Sequence, residues 1–427
     1  MPRPLPSPAT GPLHPPGRRA LAEGAISQAR QVRGDGAGAP PMSQALRYGV
    51  IGTGMMGLEH IHNLQALDGA EIVAICDENP GSLAAAQTLA GTGAASFDDH
   101  RELLATGDCD AVIIATPNMT HLQILLDVVE SQVPCLVEKP LCTTVPDCQR
   151  VIEAAPPEAL IWVGLEYRYM PAVAGLLESV ASGTVGDIRM VAIREHRFPF
   201  LAKVGDWNRF NVNTGGTLVE KCCHFFDLMH LITGARPVRV MASGGQDVNH
   251  LDESYGGRRP DILDNAFVIV EFDSGARGML DLCMFAEATH NQEEISVVGE
   301  KGKLEALVPE SVLRTGIRGK HWIGKIDEVP VANSEVRHEG YHHGASYIEH
   351  VRFRDAVVSG SRPESGPLEG LWSVAVGVAA HRSIEEQRPV DLAEIIPHAS
   401  AASPASAASP GSAAGPGHPE SKGHNHG

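Results

Sequence analysis

The sequence predicts a doubly wound α/β domain with a parallel sheet, followed by an α+β domain. In the first half, apolar runs of strand length alternate with segments of helical periodicity. In the second half, strand-like runs follow one another with few helices between them, which is typical of an antiparallel or mixed sheet. The 427 residues also exceed the usual size of one domain. We therefore expect domains at residues 46–165 and 166–395.

The first domain is predicted to contain strands that are joined by helices. Continuous apolar runs, such as Ala111-Val112-Ile113-Ile114-Ala115, indicate strands that are buried on both faces of a sheet. Strands separated by helices of this length imply right-handed crossovers in a parallel sheet. The predicted strands are 47–51, 70–76, 111–115, 133–137 and 160–165, and the predicted helices are 58–67, 82–90, 122–129 and 147–155.

The second domain is predicted to be built mainly from strands. A helix at 218–231 interrupts them, and a last helix is expected at 375–387. The predicted strands are 188–197, 238–243, 266–272, 278–285 and 294–298.

The two ends of the chain differ from the rest in composition. Residues 1–45 are rich in Pro and Gly, and residues 396–427 are mostly Ala, Ser, Pro and Gly. Segments of this kind bury too little apolar surface to offset their chain entropy, so we expect both to be disordered. The basic first segment could instead be an organelle transit peptide, or an extension upstream of a start at Met42.

Composition and charge exclude several classes of protein. The net charge of −18 disfavours nucleic-acid binding, because an acidic surface repels phosphate backbones. No apolar run reaches the roughly 20 residues of a membrane helix, so we expect no membrane association. The eight cysteines are too sparse for a disulfide scaffold and indicate a reducing, cytoplasmic location.

A glycine-rich turn follows the first predicted strand and precedes the first predicted helix. In this context the pattern G-x-G-x-x-G is typical of a loop that binds a dinucleotide pyrophosphate at a helix N-terminus. The residues of the loop are Gly52, Thr53, Gly54, Met55, Met56 and Gly57. Asp77 ends the second strand, where a carboxylate can accept hydrogen bonds from both ribose hydroxyls of NAD. It would repel the 2′-phosphate of NADP, and no Arg or Lys follows closely, so we expect NAD.

Four motifs make the chain similar to a known family. They are Tyr48 to Gly54, Ala115-Thr116-Pro117-Asn118, Glu138-Lys139-Pro140, and Gly215 to Glu220 with His224. In order and spacing they resemble the glucose–fructose oxidoreductase / inositol dehydrogenase family of nicotinamide-dependent oxidoreductases. The resemblance implies a Rossmann domain, a second domain with an open, mostly antiparallel sheet, and an active site between them. It also implies a homodimer or homotetramer.

Glu220 and His224 are candidate acid–base groups. Four residues apart on one helix, they would share a face, and Asp227 would lie beside His224. A neighbouring carboxylate would orient the imidazole and favour its charged form, although the same pattern also fits a core histidine bound to Asp227. The family resemblance implies that Lys139, Glu220 and His224 carry the acid–base chemistry. The usual acid at the first position of the pair is Asp, and here it is Glu.

Further contacts are implied by the same resemblance. Besides the glycine loop and Asp77, the expected cofactor ligands are Thr116, Pro117, Asn118, His121, Glu138 and Lys139. Aromatic and amide side chains suit a polyol or sugar, and the expected substrate ligands are Tyr167, Arg168, Trp207, Asn213 and His224. No metal site is expected, because Cys222-Cys223-His224 does not match the usual spacing of zinc ligands.

The sequence therefore predicts an NAD-dependent dehydrogenase that acts on a secondary hydroxyl of an inositol-like polyol or a sugar. Two alternatives are an NAD-dependent glycosidase, which recycles its redox change internally, and a regulator that binds a dinucleotide without catalysis. An intact set of Lys139, Glu220 and His224 argues against the regulator, because a sensor needs no acid–base groups.

Overall fold

The computed structural model describes residues 45–396, which form two sheets. The first sheet contains, in chain order, β1 (Leu46–Ile51), β2 (Ala70–Cys76), β3 (Ala95–Phe97), β4 (Ala111–Ile114), β5 (Cys135–Glu138) and β6 (Ile161–Gly164). These strands are parallel and lie in the order β3-β2-β1-β4-β5-β6. The direction of winding reverses between β1 and β4, and ligands of such sheets bind beside this point at the carboxyl ends of the strands. The expectations for residues 1–44 and 397–427 lie outside the described part of the chain.

Helices connect these strands, and local signals explain where two of them begin. They are α1 (Met55–Ala66), α2 (Pro80–Ala90), α3 (His100–Ala105), α4 (His121–Ser131) and α5 (Val145–Ala154). The Asn79 side chain caps α2 and Thr144 caps α5, each by accepting a backbone N–H of the first turn. Every strand and helix that the sequence predicts here is present. The short β3 and α3 were not predicted, because three and six residues are too few to show periodicity.

The second sheet is mixed and mostly antiparallel, as expected. Its nine strands lie in the order β14-β13-β12-β11-β7-β10-β9-β8-β15, and β7 and β10 are a parallel pair. In chain order they are β7 (Ile188–His196), β8 (Pro237–Gly245), β9 (Asn265–Phe272), β10 (Arg277–Cys283), β11 (Glu293–Gly299), β12 (Gly302–Val308), β13 (Val312–Ile317), β14 (Asp327–Pro330) and β15 (Val390–Asp391). The last four strands were not predicted.

The second half of the chain also contains helices. They are α6 (Pro171–Ala181), α7 (Asn211–Thr214), α8 (Thr217–Glu220), α9 (Cys223–Thr233), α10 (Ala345–Ser359) and α11 (Pro367–Glu386). Of these, α6, α9 and α11 pack against its strands. The prediction of one continuous helix at 218–231 is wrong, because a turn at Lys221 and Cys222 separates α8 from α9.

The last two helices return to the first sheet. α10 packs against α1, and α11 packs against α5 and β6. Between them, the Ser365 hydroxyl donates to the Val163 carbonyl at 2.7 Å, and the Val163 N–H donates back to the Ser365 carbonyl at 2.8 Å. Residues far apart in sequence therefore meet at the carboxyl edge of the first sheet. Within residues 45–396, no helix is both long enough and apolar enough to cross a membrane.

Candidate active site

Two glycines of the loop after β1 are required by close packing. Gly52 has φ +88°, and a Cβ there would lie 2.6 Å from backbone atoms of Ala115 and Thr116. A Cβ at Gly57 would lie 2.1 Å from the Gly52 carbonyl oxygen. The absence of side chains at these positions lets α1 pack against the loop and the loop pack against the end of β4.

The middle glycine of the loop faces open space. A Cβ at Gly54 would meet no protein atom within 4 Å. No side chain caps α1, and its first turn contains no acidic residue. The free N–H groups of this turn, which includes Met55 and Met56, can therefore bind an anion that approaches the backbone of Gly54 closely. The residues present fit the pyrophosphate of a dinucleotide.

Asp77 is bound to the glycine loop. Its Oδ2 accepts the Thr53 N–H at 2.6 Å and the Thr53 hydroxyl at 3.1 Å, while Oδ1 accepts the Asn79 N–H at 2.8 Å. The carboxylate therefore fixes the loop and begins the turn before α2. It remains partly exposed at the carboxyl end of β2, where a ribose would lie.

The Thr116-Pro117-Asn118 segment lies beside this loop, at the end of β4. The Thr120 hydroxyl donates to Thr116 Oγ1 at 2.8 Å, and Pro117 precedes a short 3₁₀ turn. The Asn118 side chain is buried, and its Nδ2 donates to Glu220 Oε2 at 2.6 Å. Asn118 therefore links the cofactor side of the crevice to a predicted catalytic residue through its amide group.

His121 does not have the position expected of a cofactor ligand. It is fully buried, with Nδ1 2.9 Å from the Pro140 carbonyl oxygen and Nε2 3.1 Å from the Thr116 carbonyl oxygen. Both ring nitrogens therefore face backbone carbonyl oxygens of the protein, and one of them donates its N–H to such an oxygen. We correct its role to that of a support between the loops that follow β4 and β5.

Glu138 and Lys139 end β5 at the same edge. Glu138 Oε1 lies 3.0 Å from His60 Nε2, and Oε2 accepts the Lys139 N–H at 3.2 Å. Burial opposes ionisation of Glu138, but the hydrogen bond with His60 and the charges of His60 and Lys139 outweigh it and lower its pKa. Glu138 is therefore a buried anion that is held by protein groups, and its carboxylate is not free to bind the cofactor.

The ammonium group of Lys139 points at the second domain. Its Nζ donates to the Glu220 carbonyl oxygen at 3.0 Å. Burial alone would lower the pKa of Lys139, but the Cys223 sulfur and the carboxyls of Glu220 and Glu138 outweigh it and raise that pKa. Lys139 is therefore a fixed cation in the crevice at neutral pH.

The predicted pairing of Glu220 with His224 is not found. Glu220 ends α8, and its carbonyl accepts Lys139 Nζ and the Cys223 thiol, the latter at 3.6 Å. Its carboxylate accepts from Asn118, and no hydrogen bond joins it to His224 within residues 45–396. The turn between α8 and α9 removes the helical spacing on which the expected contact depended.

His224 is buried and stacked on Tyr167. The ring centroids are 4.1 Å apart and the ring planes differ by 7°. Burial, followed by the charges of Lys139, Lys221 and His342, lowers the pKa of His224 well below the ordinary value for histidine. The expectation that a carboxylate favours the charged form is therefore wrong. Asp227 is paired elsewhere, and surrounding cations keep the imidazole neutral.

Two residues that sequence reasoning missed lie next to His224. Glu166 Oε1 is 3.8 Å from His224 Nε2 and 3.3 Å from His342 Nδ1. Burial, and then the charge of Glu138, raises the pKa of Glu166 to about 8, so it is largely protonated at neutral pH. Glu166 could have been noticed as a carboxyl directly after a buried strand. No local signal marks His342, which is more than a hundred positions from His224 in sequence.

A polar network connects Tyr167 to the second sheet. Lys221 Nζ donates to the Tyr167 hydroxyl and lies 2.9 Å from Glu195 Oε1. Glu293 is directly opposite Glu195 on the neighbouring strand, and the Tyr167 hydroxyl donates to it at 3.4 Å. Burial, and then repulsion by Glu195, raises the pKa of Glu293 to about 7. Tyr167, an expected substrate ligand, has its hydroxyl engaged in this network and presents its ring to His224.

The remaining expected substrate ligands make contacts within the protein. Arg168 is buried, its guanidinium forms a bidentate ion pair with Asp227, and it also donates to the Glu364 carbonyl oxygen. It is therefore a structural residue, and its expected contact with substrate is corrected. Trp207 and Asn213 lie together, since Asn213 Nδ2 donates to the Trp207 carbonyl oxygen at 2.9 Å. Both side chains stay partly exposed.

No group of three or more potential metal ligands is found in the part of the chain that the structure describes. The arrangement is instead suited to proton transfer. It combines a buried neutral imidazole, a fixed ammonium group and a protonated carboxyl group beside a loop that fits a dinucleotide.

Comparison with known proteins agrees with this geometry. Residues 46–165 match the model "Oxidoreductase family, NAD-binding Rossmann fold", and residues 178–392 match "Oxidoreductase family, C-terminal alpha/beta domain". The chain is 29% identical to myo-inositol 2-dehydrogenase of Thermotoga maritima, over 82% of this chain and 100% of that protein. It is 26% identical to the Bacillus subtilis scyllo-inositol 2-dehydrogenase (NAD(+)), over 82% and 97%.

A solved structure shows the same fold. The crystal structure of a probable dehydrogenase from Thermotoga maritima superposes with a TM-score of 0.67 at 28% identity. It covers 82% of this chain and 100% of that one. The matches to both family models span most of the sequence and confirm the resemblance of the four motifs. The chain therefore belongs to this oxidoreductase family, and its first sheet is that of an NAD-binding Rossmann fold.

Proposed function

We propose that the protein is an NAD-dependent dehydrogenase that oxidises a secondary hydroxyl of an inositol-like polyol or a sugar, or reduces the corresponding ketone. The observation that carries the proposal is a buried, neutral imidazole, that of His224, next to a fixed cation. The cation is Lys139, whose charge helps to lower the pKa of His224. An uncharged imidazole can accept a hydroxyl proton, and an ammonium group can stabilise an alkoxide.

In this mechanism His224 removes the hydroxyl proton, and Lys139 donates a hydrogen bond to the developing alkoxide oxygen. NAD, when bound, supplies the hydride acceptor. Glu220 does not pair with His224 as the sequence predicted. Its carbonyl positions Lys139 Nζ, and its carboxylate is held by Asn118 at the end of β4.

The substrate class is supported by the relatives, which are named as inositol dehydrogenases. The test is the formation of reduced nicotinamide by the purified full-length chain. NAD and NADP are each supplied with inositols, aldoses, sugar acids and amino sugars. A signal with NAD and a polyol or sugar supports the proposal. Cleavage of a chromogenic glycoside without net NAD reduction would contradict it and favour the glycosidase.

Substituting Gly54 tests the cofactor site without disturbing the fold. In Gly54→Ala the new Cβ enters the space that a pyrophosphate would occupy, but it meets no protein atom within 4 Å. We expect the Kd for NAD, measured by calorimetry, to rise at least about tenfold while Tm stays unchanged. Gly93→Ala is the matched control, because that Cβ also points into open space, before β3 and away from the carboxyl ends of the strands. Equal NAD affinity in both variants would contradict the assignment of the loop.

We also propose that the protein is a homodimer or homotetramer assembled through the second sheet. On the face away from α9 and α11, three apolar side chains form a row across adjacent strands. Met241 is paired with Ile269, and Ile269 with Met279. Their exposures are 48%, 40% and 41%, and the neighbouring Phe267 is 62% exposed. A contiguous apolar row on a sheet is typical of a buried interface.

A charge in the middle of this row should dissociate the assembly. In Ile269→Glu, association would bury a carboxylate without a partner, so we expect light scattering to give the mass of a monomer. Val358→Glu places the same charge on an exposed apolar residue of α10, which is not part of the second sheet, and it should keep the wild-type mass. An unchanged mass for both variants would locate the interface elsewhere.

The cysteines support a reducing, cytoplasmic location. All eight lie within the described residues as free thiols, and six of them are buried. Burial raises the pKa of Cys135 to about 12, and likewise that of Cys223. Such thiols are unreactive and serve as packing residues. We propose that the protein functions where disulfides do not form.

A further inference from the structure

Three ionisable side chains lie in a row from the proposed base toward the surface, close to one another but without direct hydrogen bonds between them. His224 Nε2 lies 3.8 Å from Glu166 Oε1, and the same oxygen lies 3.3 Å from His342 Nδ1. The side chains of His224 and Glu166 are 2% and 3% exposed, whereas that of His342 is 21% exposed. The path therefore begins at a buried imidazole, passes through a buried carboxyl group, and ends at a partly exposed imidazole whose Nδ1 also lies 3.2 Å from the Ser346 hydroxyl.

Several atoms along this path have no hydrogen-bond partner within residues 45–396. They are both carboxyl oxygens of Glu166 and Nδ1 of His224. Buried polar atoms are normally paired, because leaving one unpaired is costly. An unpaired Nδ1 on one side of the His224 ring and an unpaired carboxyl group on the other suit a ring that takes a proton on one nitrogen and releases one from the other.

The proposed reaction creates a need for such a path. Oxidation of a hydroxyl group releases one proton for each turnover, and His224 is too buried to pass it directly to water. The neighbouring Lys139 already carries a proton, so it cannot accept another.

We infer that Glu166 and His342 relay the substrate proton from His224 to solvent. This inference rests on the proposed dehydrogenase function. The C–H bond of the carbinol breaks and its electron pair leaves as hydride to the nicotinamide. The O–H bond breaks and its proton binds His224 Nδ1. His224 releases a proton from Nε2 to Glu166, Glu166 gives its own proton to His342, and His342 releases one to water. Reduction of a ketone runs the path in reverse.

Glu166 and His342 differ in basicity, so the transfer of a proton from Glu166 to His342 is the uphill step of the path. Burial, with the charge of Lys221 next, lowers the pKa of His342 to about 3, so His342 does not retain a proton that it receives. Glu166, whose pKa is raised to about 8, holds one between turnovers. The titratable groups that influence Glu166 or His342 besides His224 are Glu138, Lys139, Lys221, Arg197 and Glu349.

The test is the variant Glu166→Gln, which keeps the shape of the side chain but cannot transfer a proton between His224 and His342. We expect kcat to fall at least about tenfold, since proton transfer would become limiting. The solvent deuterium isotope effect on kcat should increase, and the isotope effect of deuterium on the substrate carbon should decrease. A purely structural role would not move the two isotope effects in opposite directions.

A second variant and a control keep the result interpretable. His342→Gln interrupts the same path at its exposed end, so it should reproduce the two isotope changes and add little to Glu166→Gln in the double variant. Glu59→Gln makes the same chemical change at another buried carboxyl, on α1, which lies 3.3 Å from His338 and is not among the groups that influence Glu166 or His342. It should retain wild-type isotope effects.

The outcomes separate the relay from the function on which it rests. If the wild-type protein reduces NAD and Glu166→Gln keeps the wild-type rate and isotope effects, the relay is overturned and the dehydrogenase stands. The same conclusion follows if the two single variants lose activity independently. If the wild-type protein reduces NAD with no polyol or sugar, the proposed function fails and the relay fails with it.

Discussion

His224→Ala should lower kcat by roughly 10²- to 10⁴-fold, the contribution expected of a general base. His342, the other imidazole that contacts the Tyr167 ring, lies farther from it than His224, with ring centroids 5.9 Å apart instead of 4.1 Å. The affinity for NAD should stay within a few-fold of the wild type, because the glycine loop and Asp77 do not contact His224. Steady-state kinetics with NAD and the best polyol, together with calorimetric binding of NAD, make this measurement.

Removing a buried ring can also disturb packing, so two further variants separate this effect from the loss of the base. His290→Ala removes a histidine whose side chain is 80% exposed, and it should leave kcat unchanged. His224→Gln fills most of the space without a basic nitrogen and should be as inactive as His224→Ala. If His224→Gln keeps wild-type kcat with a normal Tm, His224 is not the base.

The pH dependence of kcat/KM also tests whether His224 is the base. A base acts only when it is unprotonated, so activity is lost as the pH falls through the pKa of that base. Burial, and then the positive charges of Lys139 and Lys221, lower the pKa of His224. The acid limb of kcat/KM should therefore lie below about 6.5, the ordinary value for histidine. An acid limb above that value would contradict the assignment of His224, with its lowered pKa, as the base.

The local geometry of two parts of the candidate site follows directly from the sequence. The glycine loop is one example, because a buried strand, Gly52 with positive φ and the start of α1 are consecutive in sequence. The position of Lys139 at the edge of the first sheet follows likewise from the apolar run that precedes it. Patterns of this kind require no knowledge of distant residues.

The parts that were missed depend on contacts between distant segments. The Glu220 carbonyl accepts Lys139 Nζ from the first sheet instead of continuing a helix, and this contact accompanies the break between α8 and α9. The buried residues of α10 include Glu349 and His350, which obscure the apolar periodicity of that helix. His342 reaches the site only because the segment before α10 returns to the first sheet. Spacing rules cannot show such contacts, which arise from the tertiary fold.

Lys139→Met should lower kcat by about 10²- to 10³-fold, the loss expected when a donor to a developing oxyanion is removed. The Lys139 ammonium group is held by the Glu220 carbonyl at 3.0 Å, and its raised pKa keeps it charged across the usual assay range. Met has nearly the same length, so the variant removes the charge and the donor with little change in packing.

The role of Lys139 is shown by whether the loss appears in kcat or in the Kd for NAD. If it stabilises the alkoxide, the loss appears in kcat and the Kd for NAD changes little. If the whole loss appears in the Kd for NAD, Lys139 is a cofactor ligand and the proposed mechanism lacks its oxyanion donor. Lys325→Met, which makes the same change on the exposed connection between β13 and β14, should leave both quantities unchanged.

Because Asn118 holds Glu220 and the Glu220 carbonyl holds Lys139, Asn118→Ala should reproduce part of the kcat loss of Lys139→Met. A full kcat in Asn118→Ala would show that Lys139 is positioned by Glu138 and the first sheet alone.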